Sequence, residues 1–298
     1  MVITVILPTL FGLCFLAAGL ITYRRDFRTA GPGQAFGLVA LGPVFVAASL
    51  AAFAGEHFSA ATSLATLVPK WLPAPLLITY FVGVAHFATA SSYVARRYVR
   101  WSTIGLAVMF SLFVLLMDLP AAIKHPTTTL FWILASRQAT FAIGALALFS
   151  IETRNTSPHS SNKLATIARF WTAGVLVFYG IWHVIHPEYT PGVPSTALPA
   201  TWIPFPMLLS YATGLLLIAF GIAMFARRYA STAAALAALL MLLLTVVLYV
   251  PQFFIASSSQ QRIVAINFIF DTLLFAGTVF VISKAILDAE PAETPAPA

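Results

Sequence analysis

Ionisable residues are scarce in this chain, and the two that fall deep inside apolar runs limit the chemistry it can do. Arg137 stands in the run 129–151 and Asp271 in the run 264–286. Both are costly in hydrocarbon, so each needs a partner or a wet cavity. Each lies about eight residues, roughly 12 Å of helix, from the same-side end of its run. A guanidinium and a carboxylate at equal depth can pair, and such a pair either ties two helices together or polarises a bound ligand.

Histidines form the second group. His57 and His183 close corresponding apolar runs, with Glu56 and Glu188 near them. A carboxylate beside an imidazole can poise a proton donor or acceptor for an oxygen of a bound ligand. The plainer alternative is a helix-end histidine bonded to a loop carbonyl at headgroup level. No HxxxH or HxxE pattern supplies three ligands on one helix, so no metal site is expected. His86 lies near the middle of its run, where a satisfied core imidazole is expected. No second histidine lies at similar depth in any run, which argues against a bis-histidine haem. Trp71 and Trp202, with Tyr80 and Tyr211, suit an interfacial aromatic belt or the rim of a cavity. The 25 phenylalanines suit both a lipid-facing surface and a pocket for a flat apolar ligand. Phosphate-loop, dinucleotide, zinc-protease and serine-hydrolase motifs are all missing. Cys14 is the single cysteine, which excludes an intramolecular disulfide and any mechanism needing a cysteine pair.

The elements that must position these groups are membrane helices. Of the 298 residues, 60% are hydrophobic and 8% charged, and the mean hydropathy is +0.92. A span needs about 20 mostly apolar residues. Nine runs qualify: 3–22, 36–54, 75–95, 101–118, 129–151, 165–185, 206–226, 231–250 and 264–286. The fold class expected is therefore all-α integral membrane, with nine transmembrane helices. The net charge of +7 reports topology rather than nucleic-acid binding. Twelve of the sixteen basic residues (Arg24, Arg25, Arg28, Arg96, Arg97, Arg100, Arg154, Lys163, Arg169, Arg227, Arg228 and Lys284) fall on one side of an alternating nine-span layout. The positive-inside rule then puts the N-terminus outside and the C-terminus in the cytoplasm. The first run is followed, not preceded, by its positive cluster, the reverse of a secretory signal.

The chain also repeats itself. Shifted by 131 residues, 71–120 lies on 202–251 without a gap, and fourteen of the fifty positions are identical. The matches include Trp71/Trp202, Tyr80/Tyr211, Gly83/Gly214, Arg96-Arg97-Tyr98/Arg227-Arg228-Tyr229 and Pro120/Pro251. Shared hydrophobicity alone does not select Trp, Pro, Gly and Arg, so this is an internal duplication. Four spans per copy give both copies the same orientation, a parallel repeat. The expected division is an N-terminal helix (1–30), a first four-helix unit (31–155), a second (156–288) and a disordered cytoplasmic tail (289–298). Grouping span 1 with spans 2–4 instead is an equal alternative.

These motifs resemble the DoxX-like family of small four-helix bacterial membrane proteins. The pattern is a Gly and a His closing the first helix, a Pro-containing loop, Trp-x-Pro leading into a helix with Thr-Gly, and a last helix with Asn-Phe and an acid. The second copy matches at Gly180, His183, Pro187, Trp202, Pro204, Thr213-Gly214, Asn267-Phe268 and Asp271. The first matches at Gly55, His57-Phe58, Val68-Pro69, Trp71, Pro73 and Gly83. Relatives often carry Lys just before the acid; here that residue is Phe270, and the first copy has Arg137-Gln138 and no acid.

The resemblance implies a bacterial inner-membrane protein. Some relatives are membrane subunits of quinone-linked sulfur-compound oxidoreductases, which implies a quinone or similar apolar ligand near the periplasmic side. A periplasmic or membrane redox partner would supply electrons. Glu56, His57, Arg137, His183, Glu188 and Asp271 would line or polarise the site, with Trp71 and Trp202 at its rim. Two rivals stand beside this reading. One is a small-molecule transporter, against which counts the crowding of polar groups into the outer half, with only His86 deeper. The other is a structural or assembly protein without catalysis.

Overall fold

The computed structural model describes residues 3–29, 35–192, 194, 203 and 205–289. Among them there is no strand, and nine helices are long and apolar enough to cross a membrane. The architecture is an all-α membrane fold. Helix α1 (Ile3–Thr29) is followed by a 3₁₀ turn (Ala35–Leu41), α2 (Gly42–Ser59) and the short α3 (Ala61–Leu64). Next come α4 (Pro75–Ala95), α5 (Val99–Phe113), α6 (Leu119–Lys124) and α7 (Thr129–Thr153). The second half holds α8 (Pro158–Ile185), α9 (Pro206–Phe225), α10 (Arg227–Leu244), α11 (Val250–Ile255) and α12 (Ser259–Ala289). Helices α8 and α12 begin five to seven residues before the runs expected from hydropathy. Their first turns are polar, and a helix continues past the hydrocarbon wherever water or headgroups satisfy its side chains. The expected tail falls outside the described residues except for Ala289, which closes α12.

The sequence repeat has a backbone counterpart at the same shift of 131. Ala74 (φ 50, ψ 58) and Phe205 (φ 53, ψ 56) take the same left-handed conformation just before Pro75 and Pro206. Helices α5 and α10 both widen into a π-turn, at Val114–Asp118 and Thr245–Tyr249. Both π-turns precede a proline, Pro120 and Pro251. Proline has no N–H and its ring crowds the carbonyl four residues earlier, so a local widening relieves the clash. The copies differ at the arginine pairs. Arg96 and Tyr98 have positive φ and form a turn between α4 and α5, whereas Arg227 and Arg228 begin α10 directly.

Glycines set the helix spacings. Side-chain carbons added at Gly180 or Gly214 would lie 2.5–2.8 Å from the other glycine's carbonyl oxygen, so α8 and α9 touch backbone to backbone. Gly42 and Gly277 do the same for α2 and α12. Helix α1 lies antiparallel along α2, with Gly19 against Val44 and Gly55 against Leu7 and Pro8. Close approach of this kind replaces the hydrophobic driving force that lipid cannot provide. Helices α2 and α12 are the most buried, while α1 faces mainly outward.

Helix α12 packs against α10 and α8 of its own half and also against α2 and α7 of the other. Three α7–α12 contacts share one offset of 134 residues: Arg137–Asp271, Phe141–Phe275 and Gly144–Thr278. A constant positive offset means that these equivalent helices run side by side in the same direction.

Candidate functional site

The α7–α12 seam positions the charged pair. A methyl group at Gly144 would sit 2.2 Å from Thr278 Cγ2, so the glycine lets the helices close. Seven residues, or two turns, earlier on each helix, Arg137 Nη1 donates to Asp271 Oδ2 at 2.7 Å. The side chains are 17% and 16% exposed, so the pair is mostly removed from its surroundings. The guanidinium also acts electrostatically on Asp118, a residue that sequence reading placed only at the end of its span. Asp118 is the last residue of the first π-turn, and its second-copy counterpart is Tyr249. Tyr249 stacks on Phe268 (5.4 Å between ring centroids, 12° between planes) and lies within electrostatic range of Asp271. Each π-turn packs beside the fourth helix of its own half. Asp118 and Tyr249, at the ends of the two turns, lie within electrostatic range of the bonded Arg137–Asp271 pair, and the Tyr249 hydroxyl donates to Pro191 O; these four residues are the charge cluster.

Within that cluster some hydrogen-bonding capacity is left over. Arg137 Nε and Asp118 Oδ2 are buried with no partner among the described residues, as is Gln138 Oε1 next along α7. Leaving a buried donor or acceptor unpaired costs about 1–3 kcal/mol. An unmatched donor on the guanidinium and an unmatched acceptor on a carboxylate within its electrostatic range suit a ligand that can both accept and give a hydrogen bond. Tyr179 joins the cluster's edge, donating to Ile133 O (3.2 Å) and accepting from Ser136 Oγ (3.3 Å).

The expected pairings of carboxylate with imidazole do not form. Glu56 accepts from Asn267 Nδ2 on α12 at 3.2 Å, while His57 Nδ1 donates to Phe53 O at 2.8 Å. Neighbours on a helix point about 100° apart, which is why adjacent Glu56 and His57 serve different partners. His183 is fully buried and tied down. Its Nε2 accepts from Gly192 N–H (3.1 Å) and its Nδ1 lies 3.3 Å from Ser210 Oγ, fastening the loop after α8 to α9. Glu188 pairs instead with His186, 2.9 Å away. A hydrogen bond from its own backbone N–H, reinforced by His186, holds Glu188 below the ordinary carboxylate value. Trp71 is 66% exposed, and Trp202 lies outside the described residues.

His86 departs from expectation. It is buried, yet neither ring nitrogen has a hydrogen-bond partner among the described residues. Its ring neighbours are Phe53, Phe110 and His57, and His57 stands edge-on with centroids 5.3 Å apart. Gly83 permits this contact, because an added carbon there would come within 2.8 Å of His57 Cβ. Sequence position placed the two histidines at different depths; the packing of α2 on α4 brings them together. No group of three or more metal-ligating side chains occurs among the described residues.

The opposite end of the bundle carries a cleft of about 510 Å³. Tyr23, Asp26, Arg96, Glu152 and Lys284 line it. Arg96 bonds Asp26 at 2.7 Å and lies over the Tyr23 ring, while Lys284 bonds Asp288.

No family model, curated protein or solved structure matches the chain.

Proposed function

We propose that this chain is a DoxX-like protein of a bacterial inner membrane whose charge cluster holds the polar head of an apolar small molecule, a quinone, in the outer half of the bilayer. The observation that carries this reading is the unmatched donor and acceptor at Arg137 Nε and Asp118 Oδ2. A quinone carbonyl accepts from a guanidinium, and a quinol hydroxyl donates to a carboxylate, so one pair of residues serves both redox states. Asp271 holds and orients Arg137, and the stacked Tyr249 and Phe268 rings pack on the Asp271 helix. Electron delivery falls to a periplasmic or membrane redox partner, which makes the chain the membrane component of an oxidoreductase system. Glu56, His183 and Glu188 take structural parts in this scheme, because their bonds go to helices and loops rather than to the cluster.

The test is purification in mild detergent, lipid extraction and quantification of bound quinone, for the native chain and for Arg137→Met and Asp118→Asn. The reading requires near-stoichiometric quinone in the native protein and its loss from both variants while they still elute as monodisperse species. Quinone absent from the native protein, or retained equally by the variants, contradicts it.

A further inference from the structure

The buried face of α4 carries a file of polar side chains among Val82, Gly83 and Ala90. Thr79, His86, Thr89 and Tyr93 are each 7% exposed or less. Their spacing of seven, three and four residues keeps them in a single file. Two members are left unsatisfied. Both nitrogens of His86 and the hydroxyl of Tyr93 have no hydrogen-bond partner among the described residues.

The second copy shows that the fold does not need this file. The equivalent positions on α9 are Ser210, Leu217, Phe220 and Met224. Ser210 is buried like Thr79, and Leu217 and Met224 are fully buried like His86 and Tyr93. The same helix, in the same place in its unit, thus turns apolar after its first turns. Packing accounts for Leu217 and Met224; it does not account for a bare imidazole and a bare phenol.

His86 meets a second imidazole, and Tyr93, at the far end, meets a cavity. At the α2 side, half-buried His57 stands edge-on to His86, with its Nδ1 committed to Phe53 O and its Nε2 left for exchange. The other rings around His86 are Phe53 and Phe110, so no charged group faces it. At the other end, Tyr93 lines a void of about 10 Å³, room for about one water. Leu148 and Val281 border both that void and the cleft at Tyr23, Asp26 and Glu152. The Tyr23 hydroxyl in that cleft donates to the Tyr93 carbonyl at 3.1 Å.

We propose that the buried face of α4 carries protons between the His57 end of the bundle and the Tyr23–Glu152 cleft. His86 takes a proton on the nitrogen facing His57 and releases the proton of its other nitrogen toward Thr89 and Tyr93. One N–H bond forms as another breaks, and the tautomer resets before the next transfer. The proton comes from water at one face and leaves to water at the other, driven by the gradient across the membrane. Seven residues, about 10.5 Å of rise, separate His86 from Tyr93. Transfer across that step needs water beside Thr89, which makes the flux slow and keeps the bundle from leaking freely.

The experiment reconstitutes the full chain in vesicles of synthetic phospholipid without quinone, with a pH-sensitive dye inside and a valinomycin-set potassium potential. It compares the native chain with His86→Leu, which installs the second copy's own residue, and Tyr93→Phe, which removes one oxygen. Variants are used once their elution and thermal midpoints match the native protein. The native chain is expected to change lumenal pH faster than protein-free vesicles, and both variants to fall to the protein-free rate. Native flux equal to protein-free vesicles, or either variant keeping the native rate, overturns the proposal. Because quinone is left out, this result is independent of quinone binding at the charge cluster.

Discussion

Removing single members of the Asp118–Arg137–Asp271 cluster should destabilise the protein in a fixed order. Breaking a buried pair by deleting one partner costs about 3–5 kcal/mol, because the survivor is left uncompensated. At 17% and 16% exposure, Arg137 and Asp271 fall within that regime. Asp271→Asn leaves Arg137 with Asp118 still acting on it, so its loss should sit at the lower end, about 3 kcal/mol. Arg137→Gln leaves two carboxylates without their cation, so its loss should reach about 5 kcal/mol. At roughly 2–4 °C per kcal/mol for a chain of this size, the thermal midpoints should drop by roughly 6–12 °C and 10–20 °C. Asp118→Asn, which leaves the 2.7 Å pair intact, should cost least. Arg137→Met combined with Asp271→Leu should recover much of the Arg137→Gln loss, since a well-packed apolar pair replaces a buried ionic one at little cost. The assay is thermal unfolding in one detergent, followed by tryptophan fluorescence, with the three single variants and the double. Single losses under about 1 kcal/mol at both Arg137 and Asp271 would show that the charges do not depend on one another, and the cluster would be discarded.

Two further outcomes follow from packing and from charge. Gly180→Ala should cost about 1–3 kcal/mol by forcing α8 from α9, since its new carbon would meet Gly214 O at 2.5 Å. Gly105→Ala, with nothing within 4 Å, should be neutral or stabilising by up to about 1 kcal/mol, and thermal midpoints compare the two directly. Glu188 has a lowered pKa in the folded chain, so its contribution is present above the ordinary carboxylate pKa and fades as pH falls through the lower folded value. The midpoint difference between native protein and Glu188→Gln should therefore be small at pH 6 and vanish in strong acid; a difference that grows on acidification would contradict the assignment.

The sequence made some of this visible for physical reasons. Charges inside apolar runs are so costly that Arg137 and Asp271 had to be matched, and the repeat put them at equal depth on equivalent helices. The repeat also survives in backbone detail, in the paired left-handed residues before Pro75 and Pro206 and in the two π-turns. What sequence concealed was direction and neighbour. Adjacency suggested that Glu56 serves His57, but the helix turns them apart, and Glu56 reaches Asn267 on α12. Glu188 likewise chose His186, two residues away, over the buried His183. The role of Asp118 depends on a π-turn, whose only trace in sequence is the proline two residues later in each copy. The contact of His57 with His86 depends on how closely Gly83 lets two helices approach, and the buried polarity of α4 stands out only when burial and the second copy are compared position by position.

The central claim is that both halves stand the same way up, with the charge cluster on the side away from the arginine pairs. Impermeant maleimide labelling of intact cells tests it directly, using single cysteines at Ser63, Ser157 and Ser258 in a Cys14→Ala background. All three serines are exposed. The account predicts that the cysteines at 63 and 258 label from outside and that the one at 157 labels only after permeabilisation. Labelling of 157 in intact cells, or of 63 and 258 from opposite sides, would contradict it.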